Sequence, residues 1–276
     1  MGGGGSTFSS CHSNGTVTIT KGAISVGGFC GVDAANDTFS SCDFGGMLDF
    51  TTYTTLPSDS DKANRCGRIG GFVGEIQTNT VTFDNCNVTT DGKVISKKDV
   101  SNSGGFLGNG GGTNSGNTAR GTANFSNCNF HGTMSHDWED AASGVGAHRM
   151  GGFVGDASRV VSLSSCSNDG SIVLHDRGKG WTALGGILGR TTNAASGHTM
   201  SFTLTSCSFS GTMMVYAPTA ARATSLSNTT NIFGTLIGAN AATTAGVLTI
   251  DGANYTSGKG VNHNYGTTSV TFAVEP

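Results

Sequence analysis

Charge is scarce in this chain. Only 12% of its 276 residues are Asp, Glu, Lys or Arg, against about 25% in ordinary globular proteins. The formal net charge is −3 and the pI is near 6.1, so the basic face that a nucleic-acid partner requires is missing. No apolar run is long enough to cross a bilayer as a helix. No charged start followed by an apolar core marks a secretory signal. No window sustains helical periodicity. No Ser-His-Asp or Cys-His arrangement stands out, so no catalytic residue is assigned. Glycine (45 residues), Thr, Ser and Asn fill the composition instead. These residues form helices poorly and suit turns and β-structure. With 36% hydrophobic residues, a chain of this length can still bury a sizeable core.

What is present is repetition. One phrase recurs as Phe8-Ser9-Ser10-Cys11, Phe39-Ser40-Ser41-Cys42, Phe83-Asp84-Asn85-Cys86, Phe125-Ser126-Asn127-Cys128, Leu163-Ser164-Ser165-Cys166 and Leu204-Thr205-Ser206-Cys207. A glycine and an apolar stretch follow each time, as in Gly92-Lys93-Val94. A second phrase alternates with the first: Gly27-Gly28-Phe29-Cys30-Gly31, Gly70-Gly71-Phe72-Val73-Gly74, Gly104-Gly105-Phe106-Leu107-Gly108, Gly151-Gly152-Phe153-Val154-Gly155 and Gly185-Gly186-Ile187-Leu188-Gly189. Gly234 to Gly238 and Leu248 to Gly252 are worn copies. The period is roughly 40 residues, in the range of solenoids and propellers.

Stretches such as Thr80-Val81-Thr82-Phe83 alternate polar and apolar, which is strand period. Phe83 and Cys86 lie three apart, so both point inward only if Asp84-Asn85 turns a corner, which short polar side chains favour. The pattern predicts an all-β, right-handed parallel β-solenoid with about three short strands per coil and six to seven coils. A propeller needs four strands per blade and fits less well. A flexible glycine leader over 1–5 precedes one solenoid domain over 6–276, with repeats beginning near 6, 27, 70, 104, 151, 185 and 234. The repeat begins in mid-unit, so the chain is expected to be a piece of a longer protein or to assemble at that end. Unpaired strand edges at solenoid ends invite pairing, and no amphipathic helix is evident to cover them.

The Gly-Gly-Phe-Val-Gly phrase, followed by an Asn/Ser-Cys-Xaa-Xaa-Xaa-Gly phrase, resembles the GLUG-type repeats of bacterial surface proteins, from Phe8 to about Gly252. Such repeats occur in adhesin-like proteins and as spacers beside protease domains. The resemblance implies an extracellular, cell-surface location, which the composition permits.

Six of the eight cysteines share one repeat position, so they are expected to form an inward, reduced ladder, because cysteine packs as a small buried hydrophobe. Disulfides are disfavoured, since side chains in register point parallel while a bridge needs converging Cβ vectors. Cys30 reads as core and Cys66 as a loop thiol.

Charge concentrates between the Cys-to-Gly stretch and the next Gly-Gly phrase, where segment length varies: Asp59 to Arg68, Lys93 to Asp99, Asp137 to Arg149, and Asp176 to Lys179. Insertions at one point of a repeat project from one edge of a solenoid. Both tryptophans fall there. Trp138 with Asp137, Glu139 and Asp140, and Trp181 with Asp176 and Arg177, form the candidate ligand-binding set. Indole faces stack on sugar rings while charged groups bond hydroxyls. The plainer alternative is that each Trp packs its own loop. His136 and His148 add weak metal-ligand candidates. Calcium has only weak support, because the Asp spacing matches no EF-hand or nonapeptide repeat, and no cofactor is assigned. Asp137 or Asp140 with Asp176 could form the carboxylate pair of a polysaccharide-degrading enzyme, but the sequence fixes no separation. An ice-binding face is suggested by Thr16-Thr18-Thr20 and Thr80-Thr82, with interruptions at Asn124, Ser162 and Ser201 that argue against it. The function expected is a non-enzymatic surface or adhesion module that binds a glycan or protein through edge loops. The alternative is a structural stalk or a filament subunit that self-associates through its ends.

Overall fold

The computed structural model describes residues 4–20, 25–52, 66–77, 79–96, 100–110, 121–137, 148–157, 159–176, 182–191, 200–227, 233–240, 247–255 and 270–276. One repeat shows the plan. Cys66–Gly70 runs to a bend at Gly71 and Phe72, and Val73–Ile76 leaves it. Thr80–Asp84, Asn87–Val88 and Lys93–Ser96 follow. Equivalent strands of successive repeats pair in parallel and build five sheets, in a solenoid-like stack. The strands equivalent to Cys66–Gly70 and Val73–Ile76 make two arch sheets. Those equivalent to Thr80–Asp84 make the Phe sheet, those equivalent to Asn87–Val88 the short sheet, and those equivalent to Lys93–Ser96 the loop sheet. Each full repeat therefore gives five short strands rather than three. The glycine-framed stretch folds back at Gly-Gly-Phe, and the Cys-to-Gly stretch turns again at its glycine.

The corner after the Phe sheet is a single left-handed residue. Ser10, Ser41, Asn85, Asn127, Ser165, Ser206 and Asp251 all have φ between 48° and 53°. Asn and Asp tolerate this region best among non-glycine residues, and a β-branched side chain would not. The corner lets a Phe and the Cys three residues later both point inward.

Registered repeats convert sequence phrases into ladders. Phe39, Phe83 and Phe125 stack with centroids 5.2 and 4.6 Å apart, and Leu163 continues the column. Phe72, Phe106 and Phe153 from the arch bends stack at 4.9 and 4.8 Å. The two columns meet edge to face, as Phe83 does with Phe106 at 6.0 Å and 75°, an arrangement the ring quadrupole favours. Cys42, Cys86, Cys128, Cys166 and Cys207 are buried, and all the described cysteine side chains are free thiols. The Cys128 thiol donates to Ser126 O at 3.2 Å. Burial pushes the Cys42 thiol above its usual range. Cys30 is only half-buried, because it lies on the first rung, in register with Val73.

The arch sheets face each other so closely that only glycine fits between them. A Cβ on Gly108 would lie 2.5 Å from Ile69 N, and one on Gly155 2.6 Å from Ser103 O. Beyond these contacts the arch holds buried charge. Arg68 pairs with Glu75. Asp156, 2% exposed, takes Arg190 through two bonds of 3.1 and 2.9 Å and Arg149 Nη1 at 3.0 Å. Arg149 also donates to Asn102 at 3.0 Å. Arg68 and Arg149 are thus strand residues with internal partners, and not the loop charges that the sequence suggested.

Outward positions differ between sheets. The Phe sheet presents one column of Thr7, Thr38, Thr82, Asn124, Ser162, Thr203 and Thr249, and a second of Ser9, Ser40, Asp84, Ser126, Ser164 and Thr205. The loop sheet presents a mixture that includes Lys93, Met47, Asp49 and Ile95.

The two ends of the stack are unlike. On the first rung Phe8, Cys11, Phe29 and Cys30 are only partly buried, and Val17 and Val32 are 39% and 41% exposed. On the last rungs Leu236, Ile237 and Ile250 are buried. Ala253–Asn254 pairs antiparallel with Leu248–Ile250. The helix Ala220–Ser227, which no sequence pattern announced, buries Ala223 and Leu226 and packs on Thr212–Ala217 and Val270–Val274. No helix among the described residues is long and apolar enough to cross a membrane.

Candidate functional site

The loop sheet carries the candidate edge. Thr133–Asp137 pairs with Ser171–His175, which pairs with Thr212–Ala217. Alternation fixes the faces: Met134 and His136 point inward, and Thr133, Ser135 and Asp137 point outward. His136 therefore occupies a core position between Ser96 and Leu174 and is 8% exposed. It is no surface metal ligand.

The last residues of these strands come together. Asp137 is in register with His175, and His175 with Tyr216. The His175 ring stacks on the Tyr216 ring at 5.1 Å and 26°. His175 Nδ1 lies 3.0 and 3.1 Å from the two carboxylate oxygens of Glu275. The first strand of the next arch starts nearby in sequence, and His148 is in register with Thr182. Hence both ends of the 138–147 segment stand one rung from both ends of the segment that contains Trp181.

Asp176 follows His175 and turns inward, 3% exposed. Its N–H donates to Tyr216 O at 2.7 Å, and its carboxylate accepts from Arg222 Nε at 2.7 Å. It anchors the helix rather than facing solvent. Asp137 and Asp176 therefore sit on opposite sides of the strand layer and share no cleft, which disfavours that carboxylate pair for glycoside hydrolysis. Trp138, Glu139, Asp140, Arg177 and Trp181 lie outside the described residues.

Sequence reasoning missed Tyr216, Arg222 and Glu275. Tyr216 was findable, because it stands four residues after Thr212 just as Asp137 stands four after Thr133. Glu275 carried no signal, since its strand lies beyond the last repeat phrase. Among the described residues, no group of three or more His, Cys, Asp or Glu is arranged to hold a metal ion. Comparison of the chain with protein-family models, with curated proteins and with solved structures found no match in any of the three.

Proposed function

We propose that this protein is a non-enzymatic extracellular adhesion module, a right-handed solenoid of six to seven coils that binds a glycan or a surface protein through its edge loops. The observation that carries the reading is the pairing of Asp137 with His175 and of His148 with Thr182. It roots the two tryptophan-bearing segments on consecutive rungs, so their side chains can act on one ligand. Asp137, His175 and Tyr216, in register at the ends of the strands that precede or neighbour these segments, add a carboxylate and two rings. Trp138, Glu139, Asp140, Arg177 and Trp181 complete the proposed contact set. Asp176 acts behind it as an anchor through Arg222. Sugars suit such a surface, because aromatic faces cover the ring and carboxylates take the hydroxyls. The resemblance to GLUG-type surface repeats rests on the two phrases alone and agrees with this reading.

A glycan and matrix-protein array tests it. Wild type should bind, and Trp138→Ala with Trp181→Ala should abolish binding. Binding that survives the double change removes the site, and turnover of a polysaccharide restores the enzyme.

The second reading, a stalk or self-stacking subunit, is favoured by the open first rung with exposed Val17 and Val32. It predicts concentration-dependent assembly in light scattering through that end.

A further inference from the structure

We infer that the outer face of the Phe sheet is a second binding surface, and that its ligand is the surface of crystalline water. Seven parallel strands hold Thr, Asn or Ser in one outward column, from Thr7 through Thr82 to Thr249. The sequence alone made Asn124 and Ser162 look like breaks in a threonine ladder. In register they are rungs of a column that keeps a hydroxyl or amide at every level. A second column two residues on carries Ser, Asp or Thr on six of these strands. The grid is about 4.8 Å between rungs and about 6.6 Å along a strand.

Two further observations separate this face from an ordinary solvated sheet. The first is charge. Within the two columns Asp84 is the one ionic group, and its carboxylate already accepts from Ser126 Oγ at 2.6 Å. The loop sheet of the same molecule places Lys93 and Asp49 outward, so the fold itself does not forbid charge there. A full charge orders water radially and competes with a lattice; neutral hydroxyls both donate and accept. The second is lateral order. Thr249 Oγ1 donates to Thr203 Oγ1 at 3.4 Å within the first column, and Ser126 Oγ to Asp84 Oδ1 at 2.6 Å within the second. Such bonds hold side chains in one rotamer before any ligand arrives. The columns carry no aromatic side chain that could stack on a sugar, which separates this face chemically from the tryptophan loops.

The test measures freezing hysteresis and ice shaping by the whole protein, with Thr82→Lys on the face and Ser135→Lys as the control. Ser135 is outward on the loop sheet, between Ile95 and Val173. Circular dichroism checks that both variants fold, and Thr203→Lys replaces Thr82→Lys if that one does not. Wild type should shape ice, the Thr82 variant should lose at least tenfold in activity, and the Ser135 variant should keep it. Absence of hysteresis and ice shaping in wild type overturns the inference. So does a Thr82 variant as active as wild type, or retention on crystalline cellulose or chitin without any effect on ice. Because Trp138 and Trp181 take no part, the glycan array can fail while this test succeeds, and the reverse.

Discussion

Replacing Asp156 by Ala should be among the most damaging single changes in the arch. Asp156 is 2% exposed and lies between Arg149 and Arg190, whose side chains are 17% and 20% exposed. It accepts two bonds from Arg190 and one from Arg149, all between 2.9 and 3.1 Å. Taking the carboxylate away removes these bonds and leaves two guanidinium groups close together with little water. Breaking a buried pair from one side costs about 3–5 kcal/mol, because the remaining charge is uncompensated. In a chain of this size that is on the order of 10 °C in Tm. Burial also shields the pair from counter-ions, so the loss should be nearly the same at low and high salt. Asp169→Ala is the comparison. Asp169 meets His131 at 2.5 Å, but the two side chains are 52% and 37% exposed, and a pair in water is worth at most about 1 kcal/mol. Urea titration of both variants, read by far-UV circular dichroism, measures the difference. If Asp156→Ala costs no more than Asp169→Ala, the arch is not an ionic core and the reasoning fails. Replacing Asp156, Arg149 and Arg190 together by apolar residues of similar volume should recover much of the loss.

Asp33, at a core-facing position in register with Ile76, has its carboxyl pushed up to about 6 by burial, opposed by the Ala35 N–H and reinforced by Asp37. The folded protein therefore holds this proton more tightly than the unfolded chain does, so stability should fall as pH rises from about 4 to about 6 and level off above. Asp33→Asn should flatten that part of a urea-midpoint profile, and an unchanged slope would refute the assignment. Ser165, at φ 52°, should resist β-branched replacement: Ser165→Val is expected to cost about 2 kcal/mol, while Ser164→Val, outward and extended, should cost little in the same melt. Ellman's reagent should label Cys11 and Cys30 in the native protein but reach Cys42, Cys86, Cys128, Cys166 and Cys207 only after denaturation; fast native labelling of those five would mean that the ladder is open.

The sequence disclosed those features that a single repeat already contains. Phe83 above Phe125 and Cys86 beside Cys128 follow from the phrase and its period, since stacking puts equal positions in contact. The corner at Asp84-Asn85 followed from the need to turn two inward residues three apart, and Asn85 is the residue with positive φ. The strand count did not follow. A glycine pair reads equally well as the frame of one strand or as the fold between two, and only the close approach of the arch sheets shows which it is. The arch charges were misread for a related reason. Arg68 and Arg149 stand beside variable segments in sequence, yet their partners Glu75 and Asp156 sit across the bend, where no periodicity pairs them.

The candidate edge was legible only as a location. That the segments after Asp137 and after Asp176 follow the same strand of successive repeats was legible, and Asp137 is in register with His175. Which carboxylates remain for a ligand depends on contacts outside the repeat logic. Asp176 was as good a ligand residue as Asp137 by sequence, but the helix Ala220–Ser227 brings Arg222 to it and withdraws it from the surface. Glu275 arrives at His175 from 100 residues away through a strand that belongs to no repeat phrase. Repetition therefore builds the rungs, and the non-repeating segments decide which polar groups on those rungs stay open. The tryptophan segments, which repeat nothing, are where specificity should lie, while the Phe sheet, which repeats everything, is suited to a ligand that is itself periodic.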